Sequence, residues 1–163
     1  MSSSTYLIAV GSNRRHHLYG QPQGVVRVAM EELSALGTVA ARSAIVVTEP
    51  LGAAQRRFAN AACTLDSDYD PPSLLAALKR MEAELGRRSG RRWGDRVLDL
   101  DIVLWSGGAW RDEHLDIPHQ EFRCRNFVLG PASAIAPDWR DPKTGLSLLH
   151  LKARLTRPRP LTR

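Results

Sequence analysis

Asp99 and Asp101 stand two residues apart in the segment Arg92-Trp93-Gly94-Asp95-Arg96-Val97-Leu98-Asp99-Leu100-Asp101-Ile102. The stretch from Val97 to Trp105 is rich in branched apolar residues, which predicts a strand. Side chains alternate along a strand, so both aspartates share one face while Leu98, Leu100 and Ile102 share the other. Two carboxylates about 5 Å apart repel by roughly 3 kcal/mol at an effective dielectric of about 20. A bound divalent cation would offset that repulsion. Mg²⁺ suits such a seat because it combines carboxylate oxygens with substrate phosphates.

The residues just before the pair fit the same chemistry. Arg87, Arg88, Arg91, Arg92 and Arg96 place five guanidinium groups within ten residues. Guanidinium forks match phosphate oxygens in bidentate geometry. Together they point to a metal-bound polyphosphate. The competing reading is a pair of strand-end aspartates held in ion pairs by Arg92 and Arg96.

The rest of the chain must supply a scaffold. Its 163 residues suit one domain over 1–163, with a core over about 5–150 and a poorly ordered tail at 156–163. A hydrophobic fraction of 43% and a charged fraction of 25% are ordinary for a globular protein. No apolar run has the length of a membrane span. The start Met1-Ser2-Ser3-Ser4-Thr5 has neither a basic nor an apolar signal region, so the expectation is a cytoplasmic protein. Cys63 and Cys124 are too few for a disulfide framework, and Cys63 reads as a buried thiol. The net charge of +6 attracts polyanions, nucleotides among them.

Tyr6 to Val10 predicts a buried strand running into a loop at Gly11-Ser12-Asn13. Val25, Val28, Ala29, Leu33 and Leu36 recur at helical spacing, with Gly37 as a stop. Val39 to Val47 and Phe58 to Leu65 predict two more strands, joined by a wide connection. Pro71-Pro72-Ser73 opens a second helix with Leu74, Leu75, Leu78, Met81 and Leu85 as its apolar stripe and Gly86 as its close. After the aspartate strand, residues 115–119 read as extended, and 125–135 as short helix broken by Pro131. Strand, helix, strand, strand, helix, strand is the order of an α+β, ferredoxin-like βαββαβ core, with extra C-terminal segments covering the sheet.

Several segments together resemble the hydroxymethyl-dihydropterin pyrophosphokinase family of folate biosynthesis. The aspartate segment is similar to the family signature, and Ile8-Ala9-Val10-Gly11-Ser12-Asn13 to its opening strand. Phe58-Ala59-Asn60-Ala61-Ala62, Met81-Glu82-Ala83-Glu84-Leu85-Gly86-Arg87, Pro118-His119 and Arg125-Asn126-Phe127-Val128-Leu129 follow in the family order. The likeness spans about residues 6–140, and departs from common family residues at Arg14-Arg15-His16-His17, Gly52-Ala53-Ala54-Gln55-Arg56-Arg57, Lys79, Asp95 and Gln120.

The resemblance implies transfer of diphosphate from ATP to 6-hydroxymethyl-7,8-dihydropterin with release of AMP. It implies two Mg²⁺ ions on Asp99 and Asp101, with catalytic roles for these two and for Arg96 and Arg87. ATP contacts would come from Glu82, Arg87, Arg88, Trp93, Arg96, Ile102, His119 and Arg125, with Arg87 and Arg88 on a loop. Pterin contacts would come from Thr48, Leu51, Phe58, Asn60, Trp93 and Phe127. Asn60 offers both a donor and an acceptor to a pterin edge, and the two phenylalanines offer stacking faces or, alternatively, plain core packing. A monomer without membrane or nucleic-acid partners is expected. The alternatives are a divergent nucleotide-binding homologue, or an RNA-binding domain on the same strand order with Tyr6 as its stacking residue.

Overall fold

The computed structural model describes residues 2–49, 56–88 and 97–161, without the side chains of Arg87 and Arg88. The elements run β1 (Ser4–Ser12), α1 (Pro22–Glu32), β2 (Thr38–Arg42), β3 (Val46–Thr48), β4 (Phe58–Ser67), α2 (Pro71–Arg88), β5 (Asp99–Trp105), β6 (Trp110–Arg111), β7 (Asp116–Ile117), α3 (Asn126–Ile135) and α4 (Leu148–Thr156). The described residues form a mixed α/β structure with an antiparallel sheet and four α-helices. The main sheet has the order β2-β4-β1-β5, and β3 also pairs with β4. Among the described residues no helix is long and apolar enough to cross a membrane.

Strand alternation sends β1 and β4 side chains into two separate cores. Tyr6, Ile8, Val10, Ala61, Cys63 and Leu65 meet the inward faces of α1 and α2, including Val25, Val26, Leu74, Leu78 and Leu85. Leu7 and Ala62 turn the other way and meet Phe122, Val128, Leu129, Ala132, Leu148 and Leu151. The C-terminal segments therefore cover the second face, as the sequence predicts. Cys63 is buried as expected, and burial pushes its thiol up to about 11. Tyr6 is fully buried, so it has no ring face to offer RNA.

Three departures from the sequence reading have physical causes. The predicted strand 39–47 is broken into β2 and β3. At the break, the Ser43 hydroxyl accepts the Ala62 N–H at 2.8 Å and the Ser43 N–H donates to the Ala62 carbonyl at 2.9 Å. That local hydrogen bonding replaces a ladder pair and advances the register, from Arg42 opposite Cys63 to Val46 opposite Asn60. The helix α3 runs through Pro131 instead of breaking there. Proline costs about 3 kcal/mol in a helix interior, and burial of Val128, Leu129 and Ala132 in the second core opposes that cost. The helix α2 likewise passes Gly86 and reaches Arg88, so Arg87 and Arg88 are helical where a loop was expected. Basic residues in a last turn suit the negative end of the helix dipole.

The helix α4 was not expected at all. Ser147 caps it by accepting the His150 N–H at 3.2 Å, and Leu148 and Leu151 are its buried contacts. Leu151 carries the second core beyond residue 150.

The first core contains one polar tie of note. The Tyr6 hydroxyl donates to the Tyr69 carbonyl at 2.6 Å, joining β1 to the approach of α2. Burial, with the Asp70 charge as a lesser cause, raises this phenol to about 12. Tyr6→Phe keeps the ring and deletes the donor, removing its hydrogen bond to the carbonyl of the exposed Tyr69. The expected loss is about 0.5–1.5 kcal/mol, read as a lower urea midpoint at an unchanged m-value.

Candidate active site

The strand β5 lies at one edge of the main sheet, where Asp99 pairs with Gly11 and Asp101 with Ala9 of β1. Leu98, Leu100 and Ile102 face the first core, and the two half-buried aspartates face the opposite side. The outer edge of β5 is closed by a side chain of α2. Glu82 accepts the Leu100 N–H through Oε1 at 2.8 Å and pairs through Oε2 with Lys79 Nζ at 3.3 Å. Glu82 therefore holds the backbone between the two aspartates. Burial raises its carboxyl above the ordinary range, and the Asp99 charge adds to this; the Leu100 N–H and Lys79 pull the other way.

A bulge in β5 brings the next group to the pair. Leu7 pairs with Leu104 but Ile8 pairs with Ile102, so Val103 is the extra residue. Val103 and Leu104 consequently both contribute to the second core. The Val103 carbonyl accepts the His119 N–H at 3.0 Å, and the His119 ring stands with Nε2 3.8 Å from Asp101 Oδ2. The Arg125 guanidinium contacts the Glu121 carboxylate and lies 5.7 Å from the centre of the Phe127 ring.

Asp101 is held above the usual carboxylate range. Burial is the largest cause and the Asp99 charge the next; His119, Lys79 and Arg125 oppose them without cancelling them. Two hard oxygen donors on one face, with one of them under-compensated, fit a divalent cation such as Mg²⁺. Among the described residues no group of three or more His, Cys, Asp and Glu side chains is arranged to hold a metal. A cation on the aspartate pair therefore has coordination positions to fill with water or substrate oxygens, as is usual for Mg²⁺.

The same sheet face continues across β1 to β4. Gly11 pairs with Asp99 on one side and with Asn60 on the other, so the three form one lateral row. Phe58 and Asn60 alternate with the inward Ala59 and Ala61, and Thr48 lies opposite Phe58 on β3. Phe122, the third of the chain's three phenylalanines, is fully buried, whereas Phe58 and Phe127 are 45% and 49% exposed. Core packing does not account for either of the exposed rings. They are available as stacking faces.

The residues expected at the site thus divide. Asp99, Asp101, His119 and Arg125 gather at the edge strand, and Phe58, Asn60 and Thr48 lie on the β4 side of the same face. Ile102 is 3% exposed and points into the helix-side core, so its side chain is not on the aspartate face. Leu51, Trp93 and Arg96 lie outside the described residues, as do Arg91 and Arg92. Arg87 and Arg88 sit in the last turn of α2. Sequence reasoning missed Gly11 as part of the site by ending the first strand at Val10. The strand reaches Ser12, and a Cβ at Gly11 would come 2.9 Å from Asn60 Oδ1.

Residues 7–137 match the family described as 7,8-dihydro-6-hydroxymethylpterin-pyrophosphokinase. The 2-amino-4-hydroxy-6-hydroxymethyldihydropteridine pyrophosphokinase of Methylorubrum extorquens is 40% identical over 134 residues, which cover 80% of this chain and 82% of that one. The enzyme of the same name from Pseudomonas aeruginosa is 37% identical over 138 residues, covering 83% and 82%. In three dimensions the chain resembles Plasmodium falciparum HPPK-DHPS, solved with pteroate, at a TM-score of 0.67 and 12% identity over 94% of this chain. It spans 42% of that longer protein, and the likeness concerns the fold.

The row through Gly11 has a consequence that needs no ligand. In Gly11→Ala the added methyl meets the movable end of the Asn60 side chain, not backbone. The expected result is a folded chain with unchanged sheet register and a turned Asn60. Large shifts of the Asn60 side-chain amide in nitrogen-15 NMR, with a melting temperature close to that of the unaltered chain, would bear this out. An unmoved Asn60 amide would refute the close approach.

Proposed function

The chain belongs to the 7,8-dihydro-6-hydroxymethylpterin-pyrophosphokinase family, and we infer that it transfers diphosphate from ATP to 6-hydroxymethyl-7,8-dihydropterin in folate biosynthesis. The observation that carries this reading is the single sheet face that Asp101 shares with the row in which Asp99, Gly11 and Asn60 stand in register. One end of that face suits a metal-bound polyphosphate, and the other suits a flat, polar-edged ring. The order β2-β4-β1-β5, with α1 and α2 on one face, supports a ferredoxin-like description of the core.

In this reading the pterin hydroxymethyl oxygen attacks the β-phosphorus of ATP. The bond from that phosphorus to the α–β bridging oxygen breaks, its electron pair leaves with AMP, and the hydroxyl proton passes to water. Asp99 and Asp101 would hold Mg²⁺, as two ions, for the phosphate chain. When bound, Mg²⁺ neutralises phosphate oxygens and aligns the attacking and leaving groups. His119 and Arg125 supply a hydrogen-bonding and a cationic contact to the same chain, and Arg96, Arg87 and Arg88 add further guanidinium groups. Trp93 and Glu82 complete the nucleotide side, Glu82 by holding the strand between the aspartates; Ile102 is left with a backbone contact. Asn60 reads the pterin edge, Phe58 and Phe127 stack on its faces, and Thr48, Leu51 and Trp93 border it. The reading includes a cytoplasmic monomer.

Asp99→Asn and Asp101→Asn are each expected to cut turnover by on the order of 100-fold or more. The fold should persist in both, since removing one charge relieves repulsion within the pair. Near-normal turnover at limiting Mg²⁺ in either variant would remove that residue from the metal site. Phosphorus NMR of the purified chain with ATP, Mg²⁺ and the reduced pterin tests the reaction itself. AMP and pterin diphosphate in equal amounts are expected; ADP with a pterin monophosphate would overturn the reading.

A further inference from the structure

Two arginines flank Cys124, and they point to different places. Arg125 stands beside the aspartate face, and its charge reaches Asp101. Arg123 turns inward to Asp141, donating through Nε at 2.6 Å and through a terminal guanidinium nitrogen at 2.8 Å. Asp141 is completely buried, while the Arg123 side chain keeps 22% exposure. The carboxylate also accepts from the Thr144 hydroxyl at 2.7 Å and from the Lys143 N–H at 3.1 Å. Burial alone would raise this carboxyl, but the Arg123 and Thr144 hydrogen bonds and the Lys143 N–H outweigh it and hold it below the usual range. A fully buried carboxylate forked by a part-buried guanidinium is held rigidly, and removing the cation alone is costly.

Arg123 lies in the segment that connects the two phosphate-side groups, His119 and Arg125. Residues 119–125 are fastened at three points. The His119 N–H binds the Val103 carbonyl at 3.0 Å, the Phe122 ring is fully buried in the second core, and Arg123 forks onto Asp141. The Arg123 guanidinium also lies 4.6 Å from the centre of the Phe122 ring, tying the second and third points together. From there the Arg125 carbonyl accepts the Val128 and Leu129 N–H groups at 3.0 Å and starts α3. Asp141 itself sits in the turn between α3 and α4, where the Gly145 N–H closes onto the Asp141 carbonyl at 2.8 Å.

We propose that Asp141 and Arg123 are a positioning pair that aims His119 and Arg125 at the nucleotide phosphates from behind the sheet face. The proposal rests on reading the aspartate face as the ATP site. Arg123 is thereby withdrawn from phosphate, and Arg125 is the arginine left to meet it. Among the described pterin-side residues Phe58, Asn60 and Thr48 lie on the strands, and Phe127 lies in α3, which Val128 and Leu129 anchor in the second core independently of the pair, so its loss should fall on ATP far more than on the pterin.

The test uses the full chain with Asp141→Asn, which keeps shape and removes charge, and Arg123→Lys, which keeps charge and removes the fork. Thr144→Val is the control, because it leaves the fork intact. KM for ATP is expected to rise at least tenfold in Asp141→Asn and by less in Arg123→Lys. KM for the pterin and its calorimetric Kd should stay within twofold in both, and Thr144→Val should resemble the unaltered chain. Equal losses for ATP and pterin, unchanged constants for both, or failure of both variants to fold would assign the pair to stability alone and overturn the proposal. Failure of the unaltered chain to bind Mg²⁺·ATP would instead defeat the functional reading on which it rests.

Discussion

Two carboxylates held on one face of an edge strand, partly out of water, are an arrangement the protein must compensate for everywhere around them. Burial and the Asp99 charge keep Asp101 above its ordinary range although His119, Lys79 and Arg125 oppose them. Relief could have come from buried ion pairs to the strand's own neighbours. Instead Glu82, a third acid, is brought to the backbone between them, where it satisfies the Leu100 N–H at the sheet edge. The described groups around Asp101 thus leave its carboxyl above the ordinary range. A carboxylate pair in that state suits a divalent cation bound with substrate oxygens.

The two-layer plan follows from the same strand. Leu98, Leu100 and Ile102 bind β5 to the helical core, so the aspartates have only the other face to occupy. The C-terminal segments then cover most of that second face and bring His119 and Arg125 to its uncovered end. The bulge at Val103 serves both layers at once, since the extra residue adds a side chain to the second core and its carbonyl binds the His119 N–H. Bulges recur next to active sites for this reason: they re-aim side chains of the bulged strand without breaking the sheet.

Charge is sorted within the segment 119–125 by depth. Arg123 is turned to a buried carboxylate and Arg125 to the face, although they are two residues apart and chemically identical. Nothing in their local sequence distinguishes them. The distinction comes from Asp141, which reaches Arg123 across eighteen positions of chain.

Local pattern was enough to read the apolar stripe of α2, the shared face of Asp99 and Asp101, and the strand–helix order, because alternation and helical periodicity are set by backbone geometry alone. Family-like residues suggested His119, Arg125, Asn60, Phe58 and Phe127 as site candidates. Tertiary structure decided what depends on partners distant in the chain. Ser43 broke a strand by bonding to Ala62, packing carried α3 through Pro131, and the pairing of Gly11 with both Asp99 and Asn60 joined two halves of a site that lie 39 positions apart. It also turned Ile102 into the core and gave Arg123 to Asp141. Such outcomes turn on competition between local preference and long-range burial or hydrogen bonding, and a linear pattern carries only the first of these.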